Sequence, residues 1–177
     1  MLHRAGVLKP LGPRKTIRII RAVKGWGRSP AMGFMALAIR QPGTPAVIDD
    51  DGSASFDEVN RRSNALARGL QESGMRAGDV VGIMCRNHRG FVEAILACCK
   101  VGANAVLLNT MFAAPQLTEV GRRENVSALL YDEEFVSLLE GFADVRRFIV
   151  YGTGADPGIG DLIESHADHD LEPPSIE

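Results

Sequence analysis

No acidic residue precedes Asp49. Residues 1–48 carry nine lysines and arginines, and the remainder carries eleven against 22 Asp and Glu. A charge of +9 therefore sits beside one of −11, and the net −2 conceals both. Three cysteines, Cys85, Cys98 and Cys99, are too few and wrongly spaced for a disulfide framework or a zinc site. Each lies in an apolar run where buried free thiols are common, which points to a reducing cytosol. No apolar run approaches the roughly 20 residues of a membrane-spanning helix, and no continuous h-region marks a secretory signal. There is no internal repeat, and the 19 glycines form no low-complexity tract. What remains is a chain of 177 residues, 45% hydrophobic and 24% charged, which suits one soluble domain with tails.

The basic segment, residues 1–28, reads as an arm. Residues 1–12 hold Gly6, Pro10 and Gly12 and are expected to be flexible. "PRKTIRIIRAVKGWG" then places Ile17, Ile20 and Val23 at helical spacing with Trp26 a further turn on, while Arg14, Lys15, Arg18, Arg21 and Lys24 fill much of the remaining wheel. One reading is a peripheral helix at the inner face of a membrane, with Trp26 at the interface and cations over anionic headgroups. The other is a helix packed on the body with its charges solvated. Nucleic acid is a poorer partner, because the body is acidic and no aromatics interleave the basic positions.

Residues 29–152 read as the folded body. "AVIDDDGSASF" is a hairpin around an Asp-Gly turn, and Ser55 with Glu58 supplies a capping box for a helix carrying Val59, Leu66 and Leu70 on one face. Apolar strands follow at 80–85, 104–109, 127–132 and 146–152. Between them lie a helix with Phe91, Ile95, Cys98 and Cys99 on its buried face, one opened by Pro115, and a short one over Glu133–Glu140. Strands apolar throughout are expected to be covered on both faces. Strand–helix–strand alternation predicts an α/β fold with a doubly wound, mostly parallel sheet. Residues 153–177 read as a polar, solvated tail with one short helix near 159–165.

No catalytic constellation stands out. "YGTGADPGIG" follows a strand but has Pro157 where a dinucleotide fingerprint needs glycine, and no Gly-Lys-Ser/Thr follows, so a surface loop is expected. "HADHD" at 166–170 has metal-ligand residue types in a polar tail without a pocket, so no metal is expected there. His88 is the best-placed titratable group, just beyond strand 80–85 where ligands of open α/β sheets gather. It is either a polar contact to substrate or cofactor, or a loop and helix-cap residue beside Asn87.

The order of these pieces resembles the start of the AMP-forming acyl-CoA synthetases, the adenylate-forming family that includes luciferase. In "SASFDEVNRRSNALARGLQESGMRAGDVVGIMCRN", Phe56, Leu66, Ala67, Gly74, Gly78, Asp79 and Asn87 fill the family's early pattern, with Val59 for its leucine. In "FVEAILACCKVGANAVLLNT", Lys100, Gly102, Leu108 and Asn109 match the next block, while Leu107 and Thr110 replace its usual prolines. "PQLTEVGRRENVSALLYDEE" is similar to the helix and strand that follow. The style of "CRNHRGFVEA" is closest to actinobacterial fatty-acid–CoA ligases.

The resemblance implies ATP-dependent activation of a fatty acid to an acyl-adenylate, then thioester formation with CoA, with ATP, Mg2+ and CoA as cofactors of the full-length family. The family's phosphate loop, its later nucleotide motifs and the C-terminal domain with its catalytic lysine have no counterpart in these residues. The chain is therefore expected to bind none of those cofactors, to be inactive alone, and to need the remainder of the AMP-binding domain in a longer protein or a second chain. A stand-alone membrane-docking module built on the basic helix is the alternative.

Overall fold

The computed structural model describes residues 11–27 and 29–174. Most of the stretch expected to be flexible, residues 1–10, lies outside the described residues, as do Arg28 and 175–177. Helix α1, Pro13–Trp26, starts on Gly12 with Pro13 at its first turn, where a missing N–H costs nothing. Helix α2, Pro30–Arg40, is capped by Ser29, whose Oγ accepts from Met32 N at 3.2 Å. Strands β1, Pro45–Asp49, and β2, Gly52–Ser55, form the antiparallel hairpin. The capping box opens α3, Phe56–Glu72: Ser55 Oγ accepts from Glu58 N at 3.2 Å, and Glu58 Oε2 accepts from Ser55 N at 2.8 Å. Val59, Leu66 and Leu70 are buried as their spacing requires.

Strand β3 is Val80–Met84, helix α4 Arg89–Val101, β4 Asn104–Leu107, α5 Ala114–Arg123, β5 Ala128–Asp132, β6 Arg146–Tyr151 and α6 Ile159–Ser165. Two short 3-10 turns, Glu133–Leu138 and Glu140–Phe142, stand where one short helix was expected. Helix α4 ends at Gly102, whose φ of 84° is the left-handed stop that glycine adopts without strain. Strands β3 to β6 form one parallel sheet in the order β4-β3-β5-β6. Helices α3, α4 and α6 cover one face through Leu66, Leu70, Ala97 and Cys98. Helix α5 and the 3-10 turns cover the other through Leu117, Leu139 and Phe142. The sheet is doubly wound.

Three expectations need correction. Strand β4 is an edge strand, not one sealed on both faces: its Leu107 is 59% exposed, and Met111 just beyond is also exposed. Its composition reads like that of β5, whose five residues are all buried, because strand order is fixed by tertiary contacts that composition does not carry. Second, residues 153–174 are no solvated tail. Helix α6 buries Ile159 and Ile163 in the core. Arg68 donates to the carbonyls of Ala167, His169 and Asp170, Asn64 donates to the carbonyl of Asp168, and Arg61 pairs with Asp168 at 3.0 Å. Asp170 reaches Arg18 of α1 at 3.2 Å.

Third, Trp26 is not at an outer interface. With Ala22 it is buried beside Ala31 and Met35 of α2 and Leu96 of α4. Ile17, Ile20 and Val23 instead face outward. The helix advances ~100° per residue, so steps of three fall short of a full turn. Nine residues of such drift carry Trp26 to the side opposite Ile17.

Charged groups also lie inside. Lys100 is 1% exposed, and its Nζ donates to Asn60 O and Oδ1 at 3.0 Å each, to Ser63 Oγ at 2.8 Å and to Asn64 Oδ1 at 2.6 Å. Glu93 is equally buried and accepts from Arg62 at 2.5 and 3.3 Å. Together they stitch α3 to α4. Among the described residues, no buried side-chain nitrogen or oxygen lacks a partner, and no helix is long and apolar enough to cross a membrane.

Candidate functional site

Ligands of doubly wound sheets settle where strand order reverses, beyond the carboxyl ends of the strands. Here the reversal lies between β3 and β5, since the chain leaves β3 for β4 on one side and returns to β5 on the other. Beyond β3 come Cys85 to His88, and His88 is the N-cap residue of α4. The last residue of β5 is Asp132, which is buried. Its carboxylate accepts from Arg86 N at 2.6 Å and from His88 Nε2 at 3.0 and 3.1 Å. A carboxylate only accepts, so Nε2 carries the ring proton.

The surrounding charges are paired too. Arg86 reaches Glu134 at 2.7 and 3.0 Å and stacks 4.9 Å above the Phe135 ring. Arg89, at the first turn of α4, binds Asp49 of β1 through Nε and Nη2 at 2.5 to 3.2 Å, and its backbone N donates to the same carboxylate at 2.8 Å. These contacts frame a cleft of about 440 Å³ whose walls include Ile48, Asp49, Arg86, His88, Asp132 and Tyr151. The Tyr151 ring lies 5.4 Å from that of His88.

His88 thus stands at the strand end where the sequence placed it, and it has the carboxylate partner that the sequence did not reveal. Asp132 lies 44 residues away, and no local pattern links the two. The cleft offers hydrogen bonds and fixed charges but no activated thiol. Burial pushes the Cys85 thiol far above its ordinary range and that of Cys98 up to about 12.

The Arg89 guanidinium holds Asp49 well below the usual carboxylate range. Its folded value is depressed, so the pair contributes stability above the unfolded value near 3.8 and loses it as pH falls further. Asp49→Asn is expected to loosen the hairpin at neutral pH. Amides of β1 and β2 should exchange faster in a hydrogen-exchange measurement while those of β3 and β5 keep their protection. Unchanged exchange in the hairpin would rule out this pair as its tie to α4.

The remaining sequence candidates separate. In the loop after β6, Glu133 Oε2 accepts from Thr153 N at 2.8 Å, and its side chain packs so close to Gly152 that a methyl there would collide with it. A carboxylate already occupies one amide of this glycine loop. His166 in "HADHD" is spent on Glu72, reached by Nε2 at 2.5 Å, and on Leu162 O, reached by Nδ1 at 2.7 Å. Among the described residues, no three His, Cys, Asp or Glu side chains are placed to hold a metal ion. Arg14, Lys15, Arg18, Arg21 and Lys24 lie on α1, far in sequence from the cleft and none of them lining it.

The model of a protein family described as "AMP-binding enzyme" matches residues 34–173, well over half of the chain. The chain belongs to the AMP-binding enzyme family. Its relatives include a feruloyl-CoA synthase from Amycolatopsis sp, 30% identical over 119 residues that make up 67% of this chain and 23% of that protein. Another is the fatty acid–[acyl-carrier-protein] ligase ScoC of Streptomyces coeruleorubidus, 26% identical over 103 residues, 58% of this chain and 20% of that one. The chain thus spans about a quarter or less of the length of these relatives. A benzoate CoA ligase from Burkholderia xenovorans LB400 superimposes with a TM-score of 0.75 over 86% of this chain and 30% of that chain. At 17% identity that likeness speaks to the fold alone: the layer described above folds as the matching part of that ligase does.

Proposed function

We propose that the chain is the N-terminal portion of a cytoplasmic fatty-acyl-CoA ligase and is inactive by itself. The complete enzyme would activate a fatty acid with ATP and Mg2+ to an acyl-adenylate and pass the acyl group to CoA. One observation carries the reading: the family match runs through 34–173 on a parallel layer, and the stretches aligned with two relatives make up 20% and 23% of their length. The fatty acid in the name of the ScoC ligase supports the acyl class, and the "CRNHRGFVEA" style supports it independently. In this reading ATP and its metal are held elsewhere, which accords with Glu133 occupying the amide of Thr153 in the glycine loop. Binding of both belongs to the partner of this layer, the remainder of the AMP-binding domain and the C-terminal domain.

The purified chain, given ATP, Mg2+, CoA and a fatty acid, is expected to release no pyrophosphate above the buffer rate. Acid-dependent release would overturn the inactivity. The DNA immediately downstream is expected to encode the Ser-, Thr- and Gly-rich phosphate loop, in frame or shifted. Its absence there, and from any separately encoded chain that restores activity, would remove the ligase reading.

A further inference from the structure

We propose that the outer face of α1 docks this protein on an anionic lipid bilayer. The helix has two sides with different work. Its inner side is fixed: Ala22 and Trp26 are buried against α2 and α4, and Arg18 pairs with Asp170. Its outer side is free: Ile17, Ile20 and Val23 are 50%, 50% and 46% exposed. Arg14 and Arg21 border this apolar arc on one side of the helical wheel and Lys24 sits within it, and among the described residues none of the three meets an acid. Along the chain itself no acid lies near them, because residues 1–48 contain no Asp or Glu.

This chemistry selects the occupant. Three β-branched side chains are too small a patch for a specific protein interface, which buries ~800 Å² on each partner. They do suit the boundary between headgroups and acyl chains, where an amphipathic helix lies in the plane with cations at headgroup level. A nucleic acid would use the cations and leave the isoleucines idle. A second copy would bring two like-charged helices together. Trp26 makes the helix a preformed binder: it holds α1 in place from within, so docking involves no coupled folding of α1.

The test is flotation of the 177-residue chain with vesicles of phosphatidylglycerol and phosphatidylcholine, against phosphatidylcholine alone. Binding is expected only to the anionic vesicles and should weaken with salt. I17S/I20S/V23S should reduce it at least tenfold. R14Q/R21Q/K24Q should reduce it about a hundredfold, at about fivefold per cation. Circular dichroism melting should stay unchanged for both, since the replaced side chains point outward. The single tryptophan adds an independent readout: Trp26 emission should not shift on vesicle binding, because its ring is already buried in protein. No binding to the anionic vesicles would overturn the proposal. So would undiminished binding by either triple variant, a blue shift of Trp26, or a dimer that the apolar triple abolishes in place of vesicle binding.

Discussion

Lys100→Met is expected to destabilise the fold by about 3 kcal/mol, which for a domain of this size lowers Tm by ~6–12 °C. The wild-type ammonium meets four acceptors, all neutral and all from α3. Methionine fills the space but leaves Asn60 Oδ1 and Asn64 Oδ1 without the donor they share, each worth ~1–3 kcal/mol when buried. Relief from burying a charge offsets part of that loss. Burial also pushes the Lys100 amine down to about 7, from 10.5 in the unfolded chain. Between those values the unfolded chain binds the extra proton, so wild-type stability is expected to rise as pH climbs from about 7 toward 10. Chemical denaturation at several pH values checks both claims. Lys100→Met should lose this part of the slope, and identical slopes in the two proteins would sink the linkage.

Asp132→Ala is expected to cost a similar ~3 kcal/mol, because it leaves the amide of Arg86 and the ring N–H of His88 without their shared acceptor. His88→Ala removes one of those donors together with its bond and should cost less. The order Asp132→Ala above His88→Ala, read from denaturant midpoints, separates a carboxylate that organises the strand end from one that only orients a histidine. Equal costs would mean that the Arg86 amide bond contributes nothing. Asp132→Asn keeps an oxygen for the amide and should fall between.

Much of this fold was legible in local signals. The Ser55–Glu58 box, the Asp-Gly hairpin, Pro115 and the four apolar strands each needed only neighbouring residues. Helix α2 was missed although Ser29 and Pro30 mark its start, because "AMGFMALAIR" is apolar around most of its wheel and shows no stripe. The misplacement of Trp26 came from treating steps of three as one face over nine residues. What sequence could not show is pairing across the fold. Lys100 with Asn60, Glu93 with Arg62, and His88 with Asp132 lie 31 to 44 residues apart. In sequence Lys100 read only as part of a family block, Glu93 drew no reading, and Asp132 read as the end of a strand. The strand-end cleft was therefore half visible, through His88 alone.

The contact between α1 and the 166–174 segment has a mechanical side. Asp170 is clasped by Arg18, Pro173 abuts Gly25 of α1, and Pro174 abuts Gly102 at the end of α4. The first helix and the last described residues therefore lie side by side against the body. Any polypeptide continuing from there inherits its starting direction from the basic helix, more than a hundred residues away along the backbone but in van der Waals contact across the wall.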